Sequence, residues 1–496
     1  MAVRAFRLTN FMAFGEWPNE SDGWIELRPI TLLFGRNSSG KSVILRGLRF
    51  LQQSLDGGSD GSPFVYSARN GVDVGGFLTL AHKEPAMPKD AYVYRQSDES
   101  WLTNKRRVGF DFRVTLPDAS LGYALPDLQF SPDVTELTVK LAYGWLADES
   151  PPRAGLMSAS ISIGNNKVDL FEIERLRNDP EAIGPSQWYF GSSALRLHEG
   201  DRLIGDLSEQ SEDVANADLW DILSPEADKP GFLPQLTFPR LGTERHANAD
   251  VRFVHRLLES IAGEIRDFLS SIEHVRPLRP EPKRIFLLDE TEQEEWRQQG
   301  RSAYLQLLRD ELPSEAVSSL NLWLSRLELG TTVKGDNLLR PTGAESGIRL
   351  AAVASQVTVV EQSGNEINLE DVGYGAGQVI PVIVQSVLAR ENTLTLIEQP
   401  ELHLHPKAQA ELGDLFIENA KDGVCFLIET HSEHLILRVM KRVREQKLDT
   451  NQTIVFYATR HDNGWSFIHR REMDAEGDFT KDWPEGFFPE RFAELF

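Results

Sequence analysis

Gly35-Arg36-Asn37-Ser38-Ser39-Gly40-Lys41-Ser42 fits the phosphate-binding pattern G-x-x-x-x-G-K-[ST]. Its flanks have the order that the pattern requires. Upstream, Trp24–Leu27 and Ile30–Phe34 read as strands. Downstream, Ile44, Leu48, Leu51 and Leu55 recur at helical spacing. The glycines let the main chain wrap a phosphate with its N–H groups, and the helix start adds partial positive charge. Lys41 would reach the β- and γ-phosphates, and Ser42 would ligate Mg²⁺. A nucleotide site is therefore expected over Gly35, Arg36, Asn37, Ser38, Ser39, Gly40, Lys41 and Ser42.

A chain of 496 residues with 41% hydrophobic and 26% charged residues can bury a large core in two or three domains. No apolar stretch reaches the length of a membrane span, and Met1–Arg7 alternates like a strand without a leader-type apolar block. The lone Cys425 lies in an apolar run, which excludes an intrachain disulfide and fits core packing in a reducing cytoplasm. The formal net charge of −23 repels nucleic acid unless basic residues cluster. Two clusters exist, Arg276/Arg279/Lys283/Arg284 and Arg438/Lys441/Arg442/Arg444, and both read better as a solvated face or structural ion pairs than as a groove. A nucleic-acid partner is thus conceivable but unsupported by the net charge.

Period-two alternation runs from Val108 to Glu174, with a hairpin at Gly164-Asn165-Asn166, and predicts an antiparallel sheet. Helical spacing follows at Phe253, Leu257, Ile261, Ile265, Phe268 and Ile272, and again from Tyr304 to Leu329. Strands return at Val353–Glu361 and Glu366–Leu369, and strand then alternates with helix to Arg471. The fold class is α/β: a P-loop head (1–174 and 341–471), with an antiparallel β subdomain in its first part. A mainly helical insertion (175–340) and a tail (472–496) complete the chain.

Three further stretches belong with the P-loop. Gly373-Tyr-Gly-Ala-Gly-Gln378 is a glycine-rich turn that opens a helix, a second anion site. Thr393–Ile397 is an apolar strand that ends in Glu398-Gln-Pro-Glu401, followed by Leu-His-Leu-His-Pro406. Val424–Ile428 ends in Glu429-Thr-His-Ser432, polar groups at the strand end where open α/β sheets bind ligands.

This order resembles the ATP-binding-cassette ATPases of the structural-maintenance, RecF-like and overcoming-lysogenization-defect group. Asn10-Phe11 ahead of the P-loop, the Glu398–Pro406 run and Glu429–Ser432 carry the resemblance, with Asp73-Val-Gly-Gly-Phe77, Pro277-Leu-Arg279 and the Trp483–Phe488 tail as weaker matches. The resemblance implies a fold of ABC type that assembles head to head, each signature capping the ATP of another subunit. Gly373, Gly375, Ala376, Gly377 and Gln378 would then face a partner's nucleotide, with Ala376 where the group often has serine. Glu398 falls at the Walker B position and would hold Mg²⁺ with Ser42. Gln399 falls where the group places its water-activating glutamate; glutamine orients a water but cannot take its proton, so Glu401 is the substitute carboxylate and turnover is expected to be slow. His431 falls at the γ-phosphate-sensing position. His403 and His405 read as structural rather than as metal ligands.

About 65 residues follow His431, fewer than a typical nuclease domain needs, and the insertion lacks the heptads of coiled-coil arms. Pro132-Asp133 with Glu281-Pro-Lys283 imitates a nuclease signature only by chance. The expected partners are a second copy of the chain and a separate effector such as a nuclease, in bacterial anti-phage defence. Two alternatives remain open: an ATP-dependent scaffold that hydrolyses slowly or not at all, and a repair ATPase that binds DNA directly.

Overall fold

The structure, a computed structural model, describes residues 1–58, 62–68, 71–81, 107–116, 135–146, 153–163, 168–175, 188–191, 197–199, 202–204, 233, 249–277, 279, 282–287, 307, 312–342, 349–420, 423–462, 464–481 and 483. The chain opens with β1 (Val3–Thr9), β2 (Ile25–Glu26), β3 (Ile30–Gly35) and α1 (Lys41–Gln53). A run of strands follows: β4 (Val108–Leu116), β5 (Thr135–Leu146), β6 (Arg153–Ile163), β7 (Val168–Arg175), β8 (Trp188–Gly191), β9 (Leu197–Glu199) and β10 (Arg202–Ile204). Next come α2 (Ala249–Ser270), β11 (Glu273–Val275), β12 (Phe286–Leu287), α3 (Ser314–Arg326), β13 (Thr332–Thr342), β14 (Arg349–Val360) and β15 (Glu366–Asn368). The last part holds α4 (Tyr374–Val387), β16 (Leu394–Glu398), α5 (Pro406–Asn419), β17 (Cys425–Glu429), α6 (Glu433–Arg444), β18 (Thr453–Arg460) and β19 (Ser466–Arg471).

These elements form two compact units that interleave along the chain. One comprises Met1–Glu26, Val43–Ser270 and Arg460–Phe467; the other comprises Leu27–Ser42, Ser271–Thr459 and Ile468–Phe496.

The first unit is built on a seven-stranded sheet in the order β2-β1-β4-β5-β6-β7-β8, with antiparallel pairing throughout. Alternation along β4 buries Val108, Phe110, Phe112, Val114 and Leu116. Phe110 meets Phe11 at 5.8 Å, and Phe64 meets Tyr143 at 4.8 Å, so the core is largely aromatic. Helix α2 packs on β1 and β4, burying Leu257, Ile261, Ile265 and Phe268 at the spacing read from the sequence. One buried ion pair crosses the sheet: Arg7 and Asp111 are register partners, and Arg7 Nε donates to Asp111 Oδ2 at 2.7 Å.

The second unit has a sheet in the order β11-β16-β17-β3-β18-β19, with β11, β16, β17, β3 and β18 running parallel. Its central strands β3, β16 and β17 read as largely apolar runs, as expected where helices cover a parallel sheet on both faces. Ile30, Leu32, Leu394, Leu396, Phe426 and Ile428 are each fully buried. Cys425 is buried here as a core residue. A smaller antiparallel sheet, β12-β14-β13, carries β15 on β14. In the tail, Trp483 packs on Phe34, Tyr457 and Phe479. Among the described residues, no helix is long and apolar enough to cross a membrane.

Candidate active site

The P-loop lies in the second unit, between β3 and α1. Gly35 has a φ of 141°, and a Cβ there would lie 2.3 Å from the Ala458 carbonyl oxygen, so the strand leaves the sheet only with glycine at this point. Left-handed Ser38 and Gly40 turn the chain into the helix, while Arg36, Asn37 and Ser38 are exposed. Lys41 is 3% exposed, and its Nζ donates to the carbonyls of Gly35 at 2.8 Å and Arg36 at 2.7 Å. Burial holds its ammonium below the usual lysine range, against the pull of Glu429 and Glu401. Ser39 Oγ is buried with no hydrogen-bond partner.

The parallel register brings the acidic strand ends beside this loop. Glu398 on β16 pairs with Glu429 on β17, and Glu429 pairs with Leu33 on β3. Ser42 Oγ donates to Glu429 Oε1 at 2.8 Å, while Glu429 Oε2 is buried without a partner. Burial pushes the Glu429 carboxyl up to about 7; the charges of Glu398 and Glu401 add to this, and the Ser42 bond and Lys41 oppose it. Glu398 Oε1 instead lies 2.7 Å from Nε2 of His274, which comes from β11 on the other side. Glu401 is buried, and its Oε1 accepts the His431 main-chain N–H at 2.7 Å; burial raises its carboxyl despite that bond. Gln399 sits at a φ of 44° and donates its N–H to the Glu429 carbonyl at 2.7 Å, which locks the two strand ends together. His431 keeps much of its surface open. Desolvation of the remainder, then the charge of Lys41, takes its imidazole down to about 4, so it is neutral at pH 7.

The glycine-rich turn is in the same unit. Gly373 is exposed at the start of α4, and no side chain caps that helix. A Cβ on Gly375 would lie 2.9 Å from the His403 carbonyl oxygen, and one on Gly377 would lie 3.1 Å from Pro282 Cδ. Ala376 and Gln378 are buried within the unit. The Gln378 amide is committed to Arg279, donating to its carbonyl at 2.8 Å and accepting its N–H at 3.3 Å. Arg279 in turn donates to the carbonyls of Gln378 at 2.9 Å, Glu398 at 2.8 Å and Gln399 at 3.3 Å. One buried guanidinium thus clips the start of α4 to the acidic strand end. In the glycine-rich turn, Gly373 is exposed and Gly375 half-buried.

The histidines after β16 shape the chain. His405 caps α5 by accepting the Lys407 N–H through Nδ1 at 3.3 Å, and His403 takes a left-handed φ of 64°. Among the described residues no group of three or more His, Cys, Asp or Glu has a metal-binding arrangement. Within the basic clusters, Arg438 and Arg442 bind Asp414, Arg284 binds Asp371, and Arg444 binds Asp478.

Three residues of this site are given no individual part in it by the sequence: Glu429, His274 and Arg279. Glu429 stands at a recognised strand end, and Arg279 in a recognised short motif. His274 lies 124 positions from Glu398, and no local signal joins them.

The family described as "AAA domain, putative AbiEii toxin, Type IV TA system" matches residues 167–438, more than half of the chain. The chain belongs to this AAA family. The match takes in the glycine-rich turn and both acidic strand ends of this AAA-type ATPase, while its P-loop lies upstream. No curated protein matches it. Solved structures with some likeness include the SMC head domain from Thermotoga maritima, at 11% identity and a TM-score of 0.36, covering 95% of this chain and 99% of that one. An SMC head bound to the C-winged helix domain of ScpA gives 10% and 0.37, covering 95% and 98%. A Pyrococcus furiosus SMC head with an extended coiled coil, bound to the C-terminal domain of ScpA, gives 10% and 0.36, covering 95% and 96%.

Proposed function

We propose that this AAA-type ATPase binds ATP on Gly35–Ser42, closes over it by pairing with a second copy, and thereby controls a separate effector. One observation carries the reading: the P-loop, Glu398, Glu401, Glu429 and His431 converge at the carboxyl end of one parallel sheet. Open α/β sheets hold their ligands in crevices at such strand ends. The residues suit a nucleotide with its metal. Ser39 Oγ and Glu429 Oε2 are buried with no partner, and Lys41 rests on carbonyls that a phosphate would replace. Mg²⁺ would be held by Ser42 with the strand-end carboxylates, and it would neutralise phosphate charge.

Within this reading Lys41 holds the phosphates, and neutral His431 offers a hydrogen bond at the γ-position. Gln399 orients the attacking water, and Glu401 takes its proton. Gly373, open at the start of α4, offers main-chain donors to the nucleotide of a partner copy. A separately encoded nuclease is the favoured effector. The family description, which names a toxin, is in keeping with anti-phage defence.

The test is Lys41→Ala. Phosphate release should fall by roughly two orders of magnitude or more, and ATP-dependent self-association measured by light scattering should vanish. Full ATP binding and turnover in this variant would falsify the proposal. Gln399 favours a second reading, an ATP-dependent scaffold with slow turnover. Under it, Gln399→Glu accelerates steady-state phosphate release; brisk wild-type turnover that Glu401→Gln abolishes would rule it out.

A further inference from the structure

The glycine-rich turn and the acidic strand end share one buried brace. Arg279 is 4% exposed and follows shortly after β11, the strand that runs parallel to β16. Its Nη1 donates to the Gln378 carbonyl, early in α4, at 2.9 Å. Its Nη2 donates to the carbonyls of Glu398 at 2.8 Å and Gln399 at 3.3 Å, where β16 ends. The Gln378 amide binds both main-chain groups of Arg279 in return, the carbonyl at 2.8 Å and the N–H at 3.3 Å. The flanking contacts are as close. A Cβ on Gly377 would lie 3.1 Å from Pro282, in the segment that carries Arg279. One on Gly375 would lie 2.9 Å from the His403 carbonyl oxygen, in the segment after β16. The start of α4 therefore rests on both segments, and in a close-packed interior it shifts only if they do.

Gln399 is where the brace acts. Its φ of 44° is left-handed, a conformation that a residue with a side chain keeps only where neighbours hold it. The Glu429 carbonyl holds its N–H at 2.7 Å, and Arg279 holds its carbonyl. Arg279 also bears on Glu401: burial raises that carboxyl, and the charge of Arg279 is among the influences that oppose the rise. One guanidinium thus reaches the turn offered to a partner's nucleotide and both groups assigned to the attacking water.

We propose that Arg279 is a positioning residue that couples the two: as the glycine-rich turn seats on a partner's nucleotide, Arg279 sets Gln399 for hydrolysis in its own chain. The proposal rests on the ATPase reading above and adds a route by which pairing controls turnover. A planar guanidinium fork holds carbonyls on two elements at once. A lysine ammonium keeps the charge but is a compact point donor that does not span them.

The experiment compares wild type with Arg279→Lys across protein concentration at saturating ATP and Mg²⁺. Light scattering follows pairing, a fluorescent ATP analogue follows binding, and steady-state phosphate release follows turnover. In wild type, release per chain should rise as pairs form. Arg279→Lys should bind the analogue and pair within about threefold of wild type, yet lose about tenfold of that stimulation, a size typical of coupling between sites. A merely structural brace predicts loss of ATP binding, or stimulation left intact in the folded protein; either result overturns the proposal. So does a wild type whose release per chain is indifferent to pairing. If wild type neither binds the analogue nor pairs, the ATPase reading itself fails, a distinguishable result. Thermal unfolding without nucleotide checks each variant. Should Arg279→Lys not fold, Gln378→Met removes only the amide bonded to the Arg279 main chain and should also lower the stimulation; wild-type stimulation there would overturn the proposal.

Discussion

Two buried carboxylates in the second unit make opposite use of the same chemistry. Asp414 on α5 is surrounded by cations. Arg442 grips it with two bonds of 2.6 Å, Arg438 approaches to 2.5 Å and Arg326 to 3.2 Å. Burial alone would raise its pKa, but Arg442 and Arg438 outweigh burial and hold it below the ordinary aspartate value. Glu429 is buried among like charges, and Lys41 beside it is bonded to the loop carbonyls. Its carboxyl is pushed up to about 7. The difference separates structure from function. A carboxylate matched by its own chain holds helices together, whereas one that lacks its cation has the environment expected of a ligand-binding group.

That contrast can be broken in several ways. The largest effect is expected at Asp414. Asp414→Ala leaves three guanidiniums without the carboxylate they share and should destabilise the fold by about 3 to 4 kcal/mol in urea, with nucleotide binding of the folded fraction unchanged. A neutral outcome would erase the distinction.

Glu429→Gln should do the opposite to the free protein. Folded Glu429 titrates near 7 and the unfolded residue near 4.5, so between these values the folded state keeps a proton that the unfolded state has lost. The penalty for its charge therefore grows as pH rises through that window and is complete above it. The variant should be more stable than wild type by up to about 3 kcal/mol above pH 7, with the gain shrinking to nothing near pH 4.5. Thermal unfolding across pH, without nucleotide, reads this directly; a gain independent of pH would mean that packing rather than charge is responsible. Comparing the variant with wild type cancels the contribution of His431.

The smallest effect belongs to Ser39. Its buried hydroxyl has no partner, so Ser39→Ala should leave the free protein unchanged or more stable by at most about 1 kcal/mol, yet weaken ATP several-fold. Loss of stability without loss of affinity would place the hydroxyl in the fold rather than in the site.

Much of this was legible from local pattern. Gly35–Ser42 with its flanks announces strand, loop and helix. The alternation from Val108 onward announces the antiparallel sheet, and the apolar runs at 393–397 and 424–428 announce buried parallel strands. Arg438 and Arg442 read as a solvated face or as ion-pairing residues; the structure shows ion pairs, and Asp414 could not be named as their partner. What was not legible depends on strand order. A parallel sheet takes its neighbours from distant parts of the chain, so nothing near Glu398 shows that β17 stands between it and the P-loop. Nor does anything there show that β11 supplies His274.

Gly35 has a consequence for genetics. Any side chain at this position strikes the Ala458 carbonyl and must also adopt a φ of 141°. A screen for loss of function would therefore score Gly35 and Lys41 together, although one lesion breaks the junction of strand and loop and the other removes a charge. Only the lysine allele separates a protein that cannot hold ATP from one that was never assembled, and phenotypes assigned to the nucleotide should be drawn from it.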